Sequence, residues 1–114
     1  MIAVYVVDPY PYLSIAEVNP LGFSAYIQAA NSFAAEIHNA VVTLANTIAP
    51  TVSLECLLIE DTSISQGIVQ SSASQHCDLI VIGAHGRGGI GRLFLGSVTT
   101  KVVNEAAVPV LVAR

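Results

Sequence analysis

The chain has 114 residues, 54% of them hydrophobic and 11% charged, with a formal net charge of −4, which leaves room for one domain with a real core over residues 1–114. This balance excludes general nucleic-acid binding, which needs a broad basic face to neutralise many phosphates. It also excludes a membrane span, because no apolar run approaches the ~20 residues that a spanning helix requires. Cys56 and Cys77 stand in no metal-type spacing and imply no disulfide framework, so two reduced thiols are expected. The first residues lack a basic leader and a small-residue cleavage site, which makes the cytoplasm the expected compartment.

Ile2 to Val7 is an unbroken apolar run of the kind found in parallel strands covered on both faces. Asp8-Pro9-Tyr10-Pro11 ends it, and residues 8–20, rich in proline, form an irregular connection. From Leu21 to Ala49 apolar residues, among them Phe23, Ile27, Ala30, Ala34, Ile37, Val41, Leu44 and Ile48, recur every three or four positions and predict a long amphipathic helix. Pro50 stops it. Val52 to Ile59 reads as the second strand, and Glu60-Asp61-Thr62-Ser63 supplies capping oxygens for a helix from Ile64 to His76. Asp78 to Gly83 is the third strand. Gly96 to Ala106 is a helix with Val98, Val102 and Val103 inward, and Val108 to Ala113 is the last strand. The order β-α-β-α-β-α-β predicts an α/β fold with parallel pairing, right-handed crossovers and helices on both faces of a sheet. In such sheets ligands bind at the carboxyl ends of strands.

One such end carries the best functional clue. Gly83-Ala84-His85-Gly86 is followed by nine residues and then Gly96-Ser97, directly after the third strand. A strand that ends in a glycine-rich loop and feeds a helix opening on Gly-Ser points backbone amides at a phosphate. Gly83 removes a β-carbon from the strand end, Gly86 permits a positive φ, and Ser97 caps its helix or bonds a phosphate oxygen. Charge agrees: residues 1–86 hold seven acids and no Lys or Arg, whereas residues 87–114 hold Arg87, Arg92, Lys101 and Arg114 against Glu105 alone. Arg87 and Arg92 can pair with a polyphosphate as bidentate donors, and Lys101 can assist from the helix. No Gly-Lys-Ser/Thr follows, so this is not a P-loop, and the glycine register is wrong for a dinucleotide fingerprint. Binding is therefore better supported than turnover.

The remaining candidates carry less. His85 can touch a phosphate or act as a base but has no carboxylate partner in sequence. His38 falls on the long helix, and His76 falls at a helix end, where capping is the simpler task. Asp8-Pro9 reads as a turn and Asp61 as a helix cap. No triad, paired carboxylates or metal spacing emerges.

The stretch from Asp78 through Gly83, His85, Gly86 and Arg87 to Gly96-Ser97-Val98, closing on Val108-Pro109-Val110-Leu111-Val112, resembles the carboxyl-terminal half of the universal stress protein family. Its nucleotide-binding subgroup has the pattern glycine, two residues, glycine, nine residues, glycine, then serine or threonine, and every element is present here. The resemblance is strong over residues 78–114 and weak over 9–63. It implies a flavodoxin-like parallel sandwich, similar to the adenine-nucleotide alpha hydrolases. It further implies binding of ATP or AMP, with or without magnesium, a regulatory role in stress responses, at most slow hydrolysis, and a homodimer joined along the last strand, Val108–Ala113. By position, Gly83, Gly86, Gly96, Ser97 and Val98 would hold phosphates and ribose, with Ile82 and Val6 near the adenine or sugar. Arg87 is added on charge grounds, and His85 as a loop contact.

Family members begin with a further strand and helix, and that strand ends in an aspartate that helps hold the adenine. Nothing upstream of Met1 supplies these, so the chain is expected to lack the first βα unit, with self-association or strand exchange as compensation. Three readings stay open: a small nucleotide-binding regulator, a dimeric interaction scaffold in which the loop is a structural remnant, or a hydrolase or transferase of the wider adenine-nucleotide-binding α/β group.

Overall fold

A computed structural model of the chain describes residues 1–7, 20–60, 62–86 and 94–114. The expected connection at residues 8–20 falls outside these except for its last residue, as do Asp61, Arg87 and Arg92. The elements run β1 (Ile2–Val6), α1 (Pro20–Ile48), β2 (Glu55–Ile59), α2 (Ile64–Ser74), β3 (Ile80–Gly83), α3 (Ser97–Glu105) and β4 (Val110–Ala113), in the order that the sequence predicts. They fall into two compact units, residues 1–63 and 64–114.

In the first unit β1 pairs with β2 in parallel, from Ile2 opposite Glu55 to Val6 opposite Ile59. The ladder is extended at both ends, where Glu55 donates to the Met1 carbonyl (3.0 Å) and Val7 donates to that of Ile59 (2.8 Å). The 29-residue α1 opens on Pro20, whose fixed φ suits a first helical position. Its half-buried positions Phe23, Tyr26, Ile27, Ala30, Phe33, Ile37, Val41 and Ala45, with Ala34 fully buried, follow the three-and-four spacing of one helical face. That face lies on β1, where the Tyr5 ring meets Phe33 (6.2 Å between centroids) and His38 (6.4 Å, edge-on). Leu44 and Ile48, expected on the buried face, are 58% and 72% exposed. They lie on the last turns of the helix. The helix ends before Pro50, and Val52 folds back to the Ala49 carbonyl in a turn (3.0 Å), so β2 begins three residues later than the expected Val52.

In the second unit β3 pairs with β4 in parallel, from Ile80 opposite Val110 to Gly83 opposite Ala113. Pro109 stands just outside the ladder and contributes its carbonyl to the Ile80 amide (3.0 Å), so its missing donor costs nothing there. Ile80 is buried, while Val81 and its register partner Leu111 are 61% and 56% exposed, so the strands are not covered on both faces as their apolar runs imply. Among the described residues each of the four strands has one hydrogen-bonded neighbour.

Helix α2 packs against α3 and buries Ser65, Gly67, Ser71 and Ser72. Small side chains let two helix backbones approach, and two of the serines satisfy themselves locally: Ser71 Oγ donates to the Ile68 carbonyl and Ser72 Oγ to that of Val69, both at 2.9 Å. The end of α2 is closed by two backbone bonds, Cys77 to Ser72 (2.8 Å) and His76 to Ala73 (3.2 Å), with His76 at φ 52°. This is the Schellman arrangement, so His76 caps through its backbone conformation. Val102 of α3 is 0% exposed and centres this core. Val103, expected inward, is 43% exposed, and Thr99 takes the buried position in its stead.

Candidate functional site

The carboxyl end of β3 is tied to the start of α3 by a short run of hydrogen bonds. Ala84, 2% exposed, donates its amide to Ala113 of β4 (2.7 Å) and accepts the Gly96 amide on its carbonyl (2.8 Å). Gly96 is the N-cap of α3, extended at φ −60° and ψ 154°, with no side-chain cap. Its carbonyl receives both the amide (2.9 Å) and the hydroxyl (3.0 Å) of Thr100. Thr99 reaches back to β3, where its hydroxyl donates to the Gly83 carbonyl at 2.8 Å.

Beyond these ties the first-turn donors are unused. Among the described residues no acceptor is paired with the amides of Ser97, Val98 or Thr99. Such orphan N–H groups sit at the positive end of the helix dipole and form a ready anion site. The space beside them is open: a β-carbon at Gly86 would meet nothing within 4 Å. A β-carbon at Gly96 would lie 3.4 Å from the Ala84 carbonyl oxygen and 3.6 Å from the Gly86 nitrogen, so the Gly86 amide stands next to the helix start. Gly86 does not use the left-handed φ that glycine permits there. What glycine supplies at this position is room.

Gly83, His85, Gly86, Gly96, Ser97 and Val98 are thus gathered around one strand-to-helix junction. His85, Gly86 and Ser97 are exposed and Val98 is half-buried. Ile82 is half-buried one residue before the strand end, opposite Val112. Val6 belongs to the first unit, at the end of β1, and Arg87 lies outside the described residues. Among the described residues no group of three or more His, Cys, Asp or Glu side chains could hold a metal ion. Thr99 was missed by pattern reading, although its spacing of three from Val102 places both on one helical face.

The family model described as the universal stress protein family matches residues 1–114. The chain belongs to the universal stress protein family. A relative from Thermus aquaticus, the universal stress protein in the QAH/OAS sulfhydrylase 3′ region, is 47% identical over 60 residues, which is 48% of this chain and 44% of that protein. The universal stress protein Rv2005c of Mycobacterium tuberculosis is 53% identical over 47 residues, or 41% of this chain and 15% of that protein. The matched segments therefore span less than half the length of these curated relatives. Among solved structures, universal stress protein UspA from Lactobacillus plantarum superposes with a TM-score of 0.73 at 27% identity, covering 99% of this chain and 76% of that one. The protein MJ0577 superposes with a TM-score of 0.68 over 98% of this chain and 73% of its own, and at 23% identity this likeness shows the fold alone. The α/β fold with parallel strands expected from the sequence is the fold of these neighbours. No helix among the described residues is long and apolar enough to cross a membrane.

Proposed function

We propose that this universal stress protein binds an adenine nucleotide, ATP or AMP, at the junction of β3 and α3, and acts in the cytoplasm as a regulator whose state follows its bound nucleotide. The observation that carries the reading is the row of amides at Ser97, Val98 and Thr99, which have no acceptor among the described residues, beside Gly86, where a β-carbon would meet no described atom within 4 Å. Gly83, His85, Gly86, Gly96, Ser97 and Val98 line the phosphate and ribose positions, Ile82 stands toward the sugar or base, and Arg87 supplies a cation with or without magnesium. Among the described residues the site has amide donors and room but no pair of groups suited to activating water, and slow hydrolysis at most is expected.

A fluorescent ATP analogue tests this. Saturable binding to the native chain is expected, with affinity falling more than about tenfold in Gly86→Val, because the added side chain fills the space a phosphate would use. The thermal midpoint should stay within about 2 °C, since a β-carbon at this position meets no described atom within 4 Å. Absence of saturable binding to the native chain at millimolar nucleotide would leave the scaffold reading in its place. We further propose a homodimer through the outer edge of β4, a short apolar strand with β3 as its one described neighbour and Leu111 56% exposed. Light scattering at micromolar concentration without nucleotide should return twice the chain mass, and a monomer would refute the dimer.

A further inference from the structure

We propose that Thr99 is a positioning residue for the anion site, a role that rests on the nucleotide reading above. Three hydroxyl side chains open α3, and they behave differently. Ser97 is exposed at the first position, and Thr100 turns its hydroxyl onto the Gly96 carbonyl of its own helix (3.0 Å). Thr99 is 3% exposed, and its hydroxyl crosses 16 residues of sequence to the Gly83 carbonyl (2.8 Å). A helical threonine usually satisfies its hydroxyl on the carbonyl three or four residues back. Thr99 instead joins the last residue of β3 to the first turn of α3, the two pieces between which the phosphate would sit.

Two effects follow from that bond. It fixes the distance between the glycine turn and the row of free amides, and together with the Gly96-to-Ala84 and Ala84-to-Ala113 bonds it holds the junction at three points. Preorganised donors bind an anion more tightly because no ordering cost remains to be met on binding. It also occupies the Gly83 carbonyl with a donor. Without that donor, the carbonyl at the end of β3 loses its partner on α3, and the strand end and the helix start are no longer tied to each other at that point.

The role separates from mere support of the fold by its dependence on the ligand. Thr99→Val keeps the shape and deletes the hydroxyl, whereas Thr99→Ser keeps the hydroxyl and deletes a methyl. In displacement of the fluorescent ATP analogue, inorganic tripolyphosphate is expected to compete about five- to tenfold more weakly with Thr99→Val than with the native chain. Adenosine should compete equally with both, within about twofold, and Thr99→Ser should restore tripolyphosphate to within about twofold. Val102→Ala, a destabilising change in the same core, should leave the ratio of tripolyphosphate to adenosine unaltered. If native protein binds the analogue but Thr99→Val leaves that ratio unchanged, or Thr99→Ser fails to rescue it, the positioning role is overturned. If native protein fails to bind the analogue at all, the nucleotide reading falls first and this proposal falls with it.

Discussion

The two units handle buried polar groups in opposite ways. In residues 64–114 the hydroxyls of Ser71, Ser72 and Thr99, all at least nine-tenths buried, each donate to a carbonyl. In residues 1–63 the buried positions among the described residues are the apolar Val7 and Ala34, yet Asn31 Oδ1 and His38 Nε2 on α1 are shut away from solvent with no hydrogen-bond partner among the described residues. Both units are a parallel strand pair with a helix against it, so the contrast is not one of architecture. Satisfied polar groups in a core fix a unique geometry, whereas an unanswered one costs stability and fixes nothing. The unit with its hydroxyls bonded is the one that holds the glycine turn and the free amides in place, where small displacements matter most for binding.

Three substitutions break or sharpen that contrast. The largest effect is expected from Val102→Ala, which empties the 0% exposed centre of the second unit. Loss of two buried methyl groups and the void they leave should lower unfolding stability by about 2–3 kcal/mol in urea titration. Asn31→Leu should act with the opposite sign. Replacing an unpartnered buried oxygen with apolar volume on α1 should raise stability by about 1 kcal/mol, and a loss would show that Asn31 is bonded in solution. The smallest change is His76→Gly, which relieves an L-residue held at φ 52° in the cap of α2. It should raise the urea midpoint by an amount equivalent to at most about 1 kcal/mol, as glycine's extra freedom when unfolded offsets part of the relief.

Much of the fold was legible because its signals are local and agree. The apolar runs at Ile2–Val6 and Ile80–Ile82, the three-and-four spacing through α1, and Pro50 as its stop place each element within a few residues of its observed bounds. What the pattern misjudged were faces, since a face is set by what lies opposite. Val103 is apolar and periodic but turns outward, because Thr99 and Val102 already occupy the buried stripe of the 9-residue α3. Leu44 and Ile48 continue the periodicity of α1 yet are exposed on its last turns. At the candidate site, the glycine spacing falls on the turn from β3 to α3, but the hydrogen bond from Thr99 to Gly83 joins residues 16 apart and has no signature in local sequence. The conformation of Gly86 was hidden for a related reason. Glycine permits a left-handed backbone without requiring it, and only coordinates distinguish a residue chosen for its angle from one chosen for its emptiness.

The donors at the start of α3 belong to the main chain, and this has a consequence for how the region responds to its surroundings and its history. Peptide nitrogens keep their hydrogens from acid to alkali, so what this helix end presents is the same at every cellular acidity. Nor does ordinary genetic drift erase it. Positions 97 and 98 can exchange side chains widely and lose no amide; proline alone subtracts one.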